Sequence, residues 1–124
     1  MTDLTTQSCQ PKVDKLDQPR VDELLRQVPE WSAATDLSSI ERSYGFDDFY
    51  RTMAFVNAVA WIANGEDHHP DLEVSYAKCV VRFSTHSVKG LSNNDFICAA
   101  KVDALLTADA LPWDVGVQPE ERDG

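Results

Sequence analysis

The chain carries three histidines, His68, His69 and His86. Two stand together in Glu66-Asp67-His68-His69-Pro70, and the third lies in Ser84-Thr85-His86-Ser87. An unperturbed imidazole, with a pKa of about 6.5, both gives and takes protons near neutrality. Several imidazoles with no activated nucleophile among them fit proton-transfer chemistry better than covalent catalysis. The plainer reading is a polar loop before a proline and a solvated strand end, because short motifs recur by chance. A metal site is disfavoured. Neighbouring residues diverge by about 100° on a helix and alternate faces on a strand, so His68 and His69 are poorly placed to chelate one ion. His86 with Asp67 or Glu66 could complete a ligand set, but no helical HxxxH pair is present. The glycines, Gly45, Gly65, Gly90, Gly116 and Gly124, are isolated, so no phosphate-cradling loop is formed.

These side chains need elements to hold them. A first helix is expected to start near Asp17, a capping residue followed by Pro19, and to stop at Pro29. Two short strands are expected at about 31–36 and 39–45, turning near Leu37-Ser38. Asp47 and Asp48 open a long helix, where acids suit the positive end of the helix dipole, and Gly65 is the expected C-cap. Two apolar stripes run along that helix: Phe49, Met53, Val56, Ala60 and Ala63, and Phe55, Val59 and Ile62. A small domain buries one stripe, so the second suits another subunit. Trp61 falls between them and, like Trp31, reads as core or interface.

Val74 to Thr85 alternates as a half-buried strand, with Leu72 to Ser75 as a candidate separate strand before it. A last helix is expected from Asn93 to Thr107. Ser92 and Asp95 have capping-box spacing, so Asp95 reads as a helix-start residue, and Cys79 as core packing. The order α-β-β-α-β-β-α is that of an α+β domain with a four-stranded antiparallel sheet and three helices on one face.

With 124 residues the chain suits one domain. Residues 1–15 read as a mobile polar tail, 16–111 as the folded domain, and 112–124 as a flexible acidic tail. Eleven basic against 21 acidic residues give a net charge of −10, which argues against nucleic acid and anionic membranes as partners. Three scattered cysteines form no disulfide framework, no apolar leader is visible at the start, and a cytoplasmic setting is expected.

Asp67-His68-His69-Pro70, Tyr76, His86 and Asp95, at their spacing, resemble the signature of the pterin-4a-carbinolamine dehydratases. Phe46-Asp47-Asp48-Phe49, Phe55-Val56-Asn57-Ala58-Val59-Ala60 and Gly90-Leu91-Ser92 are similar to the same family, and the likeness runs from about Leu16 to Leu106. One position departs: the family usually has an acid, Lys or His where Asn64 stands, four residues before His68. The resemblance implies a homodimer or homotetramer, and a hydro-lyase that converts 4a-hydroxytetrahydropterin to quinonoid dihydropterin and water. It implies no cofactor and no metal, the pterin being substrate. His68 and His86 would be the acid–base pair and His69 a substrate-positioning group. Asp67 could orient an imidazole, and Ser84, Thr85 and Ser87 could bind the pterin edge. The alternative is a non-catalytic partner-binding or assembly protein on the same scaffold.

Overall fold

The computed structural model describes residues 3–106. The expected C-terminal tail, 112–124, and the expected end of the last helix at Thr107 lie outside the described residues.

Helix α1 spans Gln18–Leu25, with the Asp17 carboxylate accepting from the Arg20 N–H at 3.1 Å. It stops short of the expected Pro29. Turns at Arg26 to Val28 close the segment instead, with the Val28 N–H on the Leu25 carbonyl. Strands β1 (Ser32–Ala33) and β2 (Ile40–Gly45) form the expected hairpin, β1 being shorter than expected. Leu37 takes the left-handed turn position, φ 58°.

Helix α2 spans Phe49–Glu66 and is capped by Asp48, whose carboxylate accepts from the Arg51 N–H at 2.7 Å. Its end corrects the expected glycine cap: Gly65 is helical, and Asp67 takes the left-handed conformation, φ 53°. The His68 N–H returns to the Ala63 carbonyl at 3.1 Å, which closes the helix as in a Schellman motif. The two extra residues are held by Glu66, which bonds the Lys101 ammonium at 2.6 Å and the Cys9 N–H at 2.8 Å.

The stretch expected as one strand from Val74 is broken. Strands β3 (Asp71–Ser75) and β4 (Lys78–Phe83) are joined by a two-residue turn at Tyr76-Ala77. The Phe46 N–H bonds the Ala77 carbonyl, and the Thr52 hydroxyl lies 3.0 Å from the Tyr76 carbonyl, so contacts from outside the strands fix this turn. Helix α3 spans Asn93–Ala104 and begins with the expected capping box of Ser92 and Asp95.

The sheet order is β1-β2-β4-β3, antiparallel throughout. Ile40 and Tyr44 of β2 and Cys79, Val81 and Phe83 of β4 face the core with Phe55 and Val59 of α2 and Phe96 and Val102 of α3. Fully burying each large apolar side chain is worth about 1.5–3 kcal/mol. The opposite parity is polar: Arg82 bridges Glu41 at 2.9 Å and Glu73 at 2.8 Å across three strands. Beneath the sheet, Asp103 Oδ1 accepts from Trp31 Nε1, Arg42 and the Tyr44 hydroxyl, tying α3 to β2. Burial, and then the Asp103 carboxylate, hold the Tyr44 phenol far above its ordinary pKa.

Residues 3–13, read from the sequence as tail, lie against α3 in the described structure. Leu4 is 3% exposed within the core. Leu4, Cys9 and Val13 stand apart among polar residues and carry too little periodicity to announce a docked segment.

Candidate active site

Two chain reversals build the site. The left-handed turn at Asp67 ends α2 and delivers His68, His69 and Pro70 before β3 begins. The end of β4 delivers Ser84 and Thr85, and a single tight turn, His86–Val88, follows. Thr85 and Gly90 form an isolated antiparallel bridge that closes this loop. The Thr85 N–H bonds the Gly90 carbonyl at 2.8 Å, and its own carbonyl accepts from Val88.

Asp67, His68, His69, Ser84, Thr85, His86 and Ser87, separated by up to 20 positions in sequence, all line one cleft of about 490 Å³. His69 and His86 are exposed in it, while the His68 side chain is 12% exposed. Tyr76 and Asn64, also singled out in the sequence, are not among its lining residues. Tyr76 stacks on Phe49 at 6.5 Å beside the start of α2, and Asn64 is exposed on α2.

The decisive side chain beneath the cleft is Asp95, which is fully buried. Its Oδ1 lies 2.7 Å from His68 Nε2. Its Oδ2 accepts from the Thr85 hydroxyl at 2.7 Å and the Ser92 N–H at 3.0 Å. Ser92 Oγ lies 2.7 Å from Thr85 Oγ1 and accepts from the Asn94 N–H. The donors order themselves from Asn94 through Ser92 and Thr85 to Asp95. A carboxylate only accepts, so Asp95 Oδ1 takes its hydrogen bond from the Nε2–H of His68, and in the neutral ring Nδ1 is then the acceptor atom. The ring is also stacked nearly parallel on Phe83, with centroids 5.9 Å apart and planes at 10°.

Asp95 therefore does the expected helix-capping job and a second one that sequence reading missed. The missed signal is that the capping acid belongs to the same spaced pattern as the histidines. Among the described residues, no three His, Cys, Asp or Glu side chains form a metal-ligating group. No described helix is long and apolar enough to cross a membrane.

Three imidazoles thus share one cleft on an α+β scaffold, one of them held by a buried carboxylate, and imidazoles are groups able to give and take protons near neutrality. Residues 14–105 match the family model described as Pterin 4 alpha carbinolamine dehydratase, and the chain belongs to that family. Two bacterial relatives are provisionally named pterin-4-alpha-carbinolamine dehydratase. The one from Xanthomonas campestris is 61% identical over 92 residues, 74% of this chain and 78% of the relative. The one from Xylella fastidiosa is 53% identical over 111 residues, 85% of this chain and 96% of the relative. Among solved structures, the chain is similar to the transcriptional coactivator/pterin dehydratase of Brucella melitensis, with TM-score 0.70 and 31% identity over 73% of this chain and 97% of that one.

Proposed function

We propose that this protein dehydrates 4a-hydroxytetrahydropterin to quinonoid dihydropterin by histidine general acid–base catalysis. The observation that carries the reading is the Asp95–His68 pair in a cleft shared with His69 and His86. The 4a hydroxyl leaves as water once it is protonated, and N5 gives up its proton as the C=N bond forms. His68, its Nε2–H engaged by Asp95, offers Nδ1 to take the N5 proton. His86, at the mouth of the β4 loop, gives a proton to the leaving hydroxyl. One proton is taken and one given, so the protein is restored once the two imidazoles re-equilibrate with solvent. His69 positions the ring, and Ser84 and Ser87 flank its edge. Such catalysis contributes about 10²–10⁴-fold.

Rapid-mixing absorbance of the decaying carbinolamine tests this against the enzyme-free rate. His68→Ala and His86→Ala are expected to lose most of the acceleration, and His69→Ala to raise KM as well. Well-folded wild-type protein that gives no acceleration would refute the reading and turn attention to partner binding.

One observation favours association of copies as part of the same function. On α2 the stripe through Phe55 and Val59 is buried, whereas Phe49, Tyr50 and Trp61 are 50%, 41% and 79% exposed. An apolar face of this kind is covered in a homodimer or homotetramer. Trp61→Glu is expected to lower the mass measured by light scattering. An unchanged mass, or a wild-type monomer, would overturn this.

A further inference from the structure

We propose that the N-terminal strap, residues 3–13, forms the wall of the histidine cleft that selects the substrate by the size of the substituent next to the reacting ring atom. The inference rests on the pterin reading above and deepens it. The match to the family model begins at residue 14, just after the strap.

The strap is built into the site. Leu4 anchors it in the core. The Cys9 N–H bonds Glu66 at 2.8 Å, two residues before His68. The Gln10 N–H bonds Asn94 Oδ1 at 2.9 Å, and its carbonyl accepts from Asn94 Nδ2 at 2.8 Å, next to Asp95. The strap is thus fastened on both sides of the Asp95–His68 pair. Gln10, Pro11 and Val13 line the same cleft as the histidines.

The cleft has two histidine-bearing walls, one at the end of α2 and one at the end of β4; the third is the strap with Asn94. A pterin that presents C4a and N5 to the histidines carries its variable substituent on C6, one bond beyond N5. That substituent therefore meets the third wall. Both main-chain groups of Gln10 are taken by Asn94, Gln10 Nε2 bonds the Ser8 carbonyl, and the apolar side chains of this wall are Pro11 and Val13. Pro11 and Val13 are left to meet the ligand. They read shape, not charge, so an uncharged alkyl or hydroxyalkyl chain is the group selected.

The test compares biopterin, with its three-carbon dihydroxypropyl chain, and 6-methylpterin. Full-length wild type, Val13→Trp and Val13→Ala are titrated with each by fluorescence, and turnover is measured with the corresponding carbinolamines. Val13→Trp is expected to weaken biopterin about tenfold more than 6-methylpterin, the usual worth of a steric mismatch in an apolar pocket. The excess should appear in KM more than in kcat. Val13→Ala, which keeps every anchor, is expected to shift the preference in the opposite direction and serves alone if the Trp variant does not fold. A biopterin-to-6-methylpterin ratio identical in all three proteins overturns the strap's role while leaving the dehydratase reading intact. Strap-dependent binding without turnover supports the strap and refutes the dehydratase. Failure of wild type to bind either pterin overturns both.

Discussion

Replacing Asp95 by Asn changes one atom, yet it should invert the chemistry of His68. The carboxylate accepts three hydrogen bonds, from His68 Nε2, Thr85 Oγ1 and the Ser92 N–H, all in a fully buried setting. An amide of the same shape keeps one acceptor oxygen. Thr85 and Ser92 share Oδ2, so the oxygen of Asn is expected to stay with them and its NH₂ to face His68. A donor facing Nε2 forces the proton to Nδ1, the atom assigned to take the substrate proton. The helix cap survives, and only the charge-assisted bond to His68 is lost, at about 1–3 kcal/mol. A domain stable by about 5–15 kcal/mol still folds. Activity should fall about 10²–10⁴-fold, the full worth of the acid–base step. Asp95→Ala is the poorer probe, because it strands three buried donors and removes the cap at once. Circular-dichroism melting checks the fold, rapid mixing reads kcat, and ¹⁵N spectra of the imidazoles report which ring nitrogen carries hydrogen. A folded Asp95→Asn protein within about threefold of wild-type activity, with Nε2 still protonated, would refute the proposed role.

Glu66 is held below the usual glutamate range, first by the Cys9 N–H and then by Lys101. Its folded pKa is depressed, so its stabilisation is present above the unfolded value and is lost as pH falls through the folded one. Urea unfolding should therefore show wild type and Glu66→Gln converging in acid, and a constant gap down to about pH 3 would contradict this. Burial pushes the Cys79 thiol up to about 11, and the bond to Cys9, with burial, raises Cys98 further. Native protein should show at most one fast-reacting thiol near neutrality, Cys9, and all three only on unfolding; two fast thiols in the native state would count against the buried placement. Phe55 is fully buried between Tyr44 and Phe46, with ring centroids at 4.5 and 5.0 Å, so Phe55→Ala should cost about 3–5 kcal/mol in urea unfolding. A loss under about 1 kcal/mol would mean that the cavity collapses freely.

Much of the fold was legible because its signals are local. Asp17, Asp48 and Ser92 cap their own helices through bonds to residues two or three positions on, so contiguous sequence carries the information. The alternation Cys79, Val81, Phe83 announced the buried face of β4. Boundaries failed where distant groups decided them. Gly65 offered a cap, but Glu66 gains Lys101 and Cys9 by extending the helix, and Asp67 tolerates the left-handed turn. The break at Tyr76-Ala77 was hidden because its partners, Phe46 and Thr52, lie more than twenty residues earlier. Either stripe of α2 could have faced inward on periodicity alone. The sheet chose Phe55 and Val59, leaving Trp61 outside.

By itself the sequence determined the element types, the N-terminal capping residues, the family and the set of three histidines, because each is written in residue identities at short or characteristic spacing. Only the tertiary structure decided that Asp95, 27 residues from His68, holds that ring while it caps α3, and that the N-terminal strap lines the same cleft. The physical reason is that a cap or a stripe needs one element. A buried carboxylate shared between two chain reversals, or a segment docked through Leu4 and the backbone of Cys9 and Gln10, depends on where separate elements meet, and no local period encodes that.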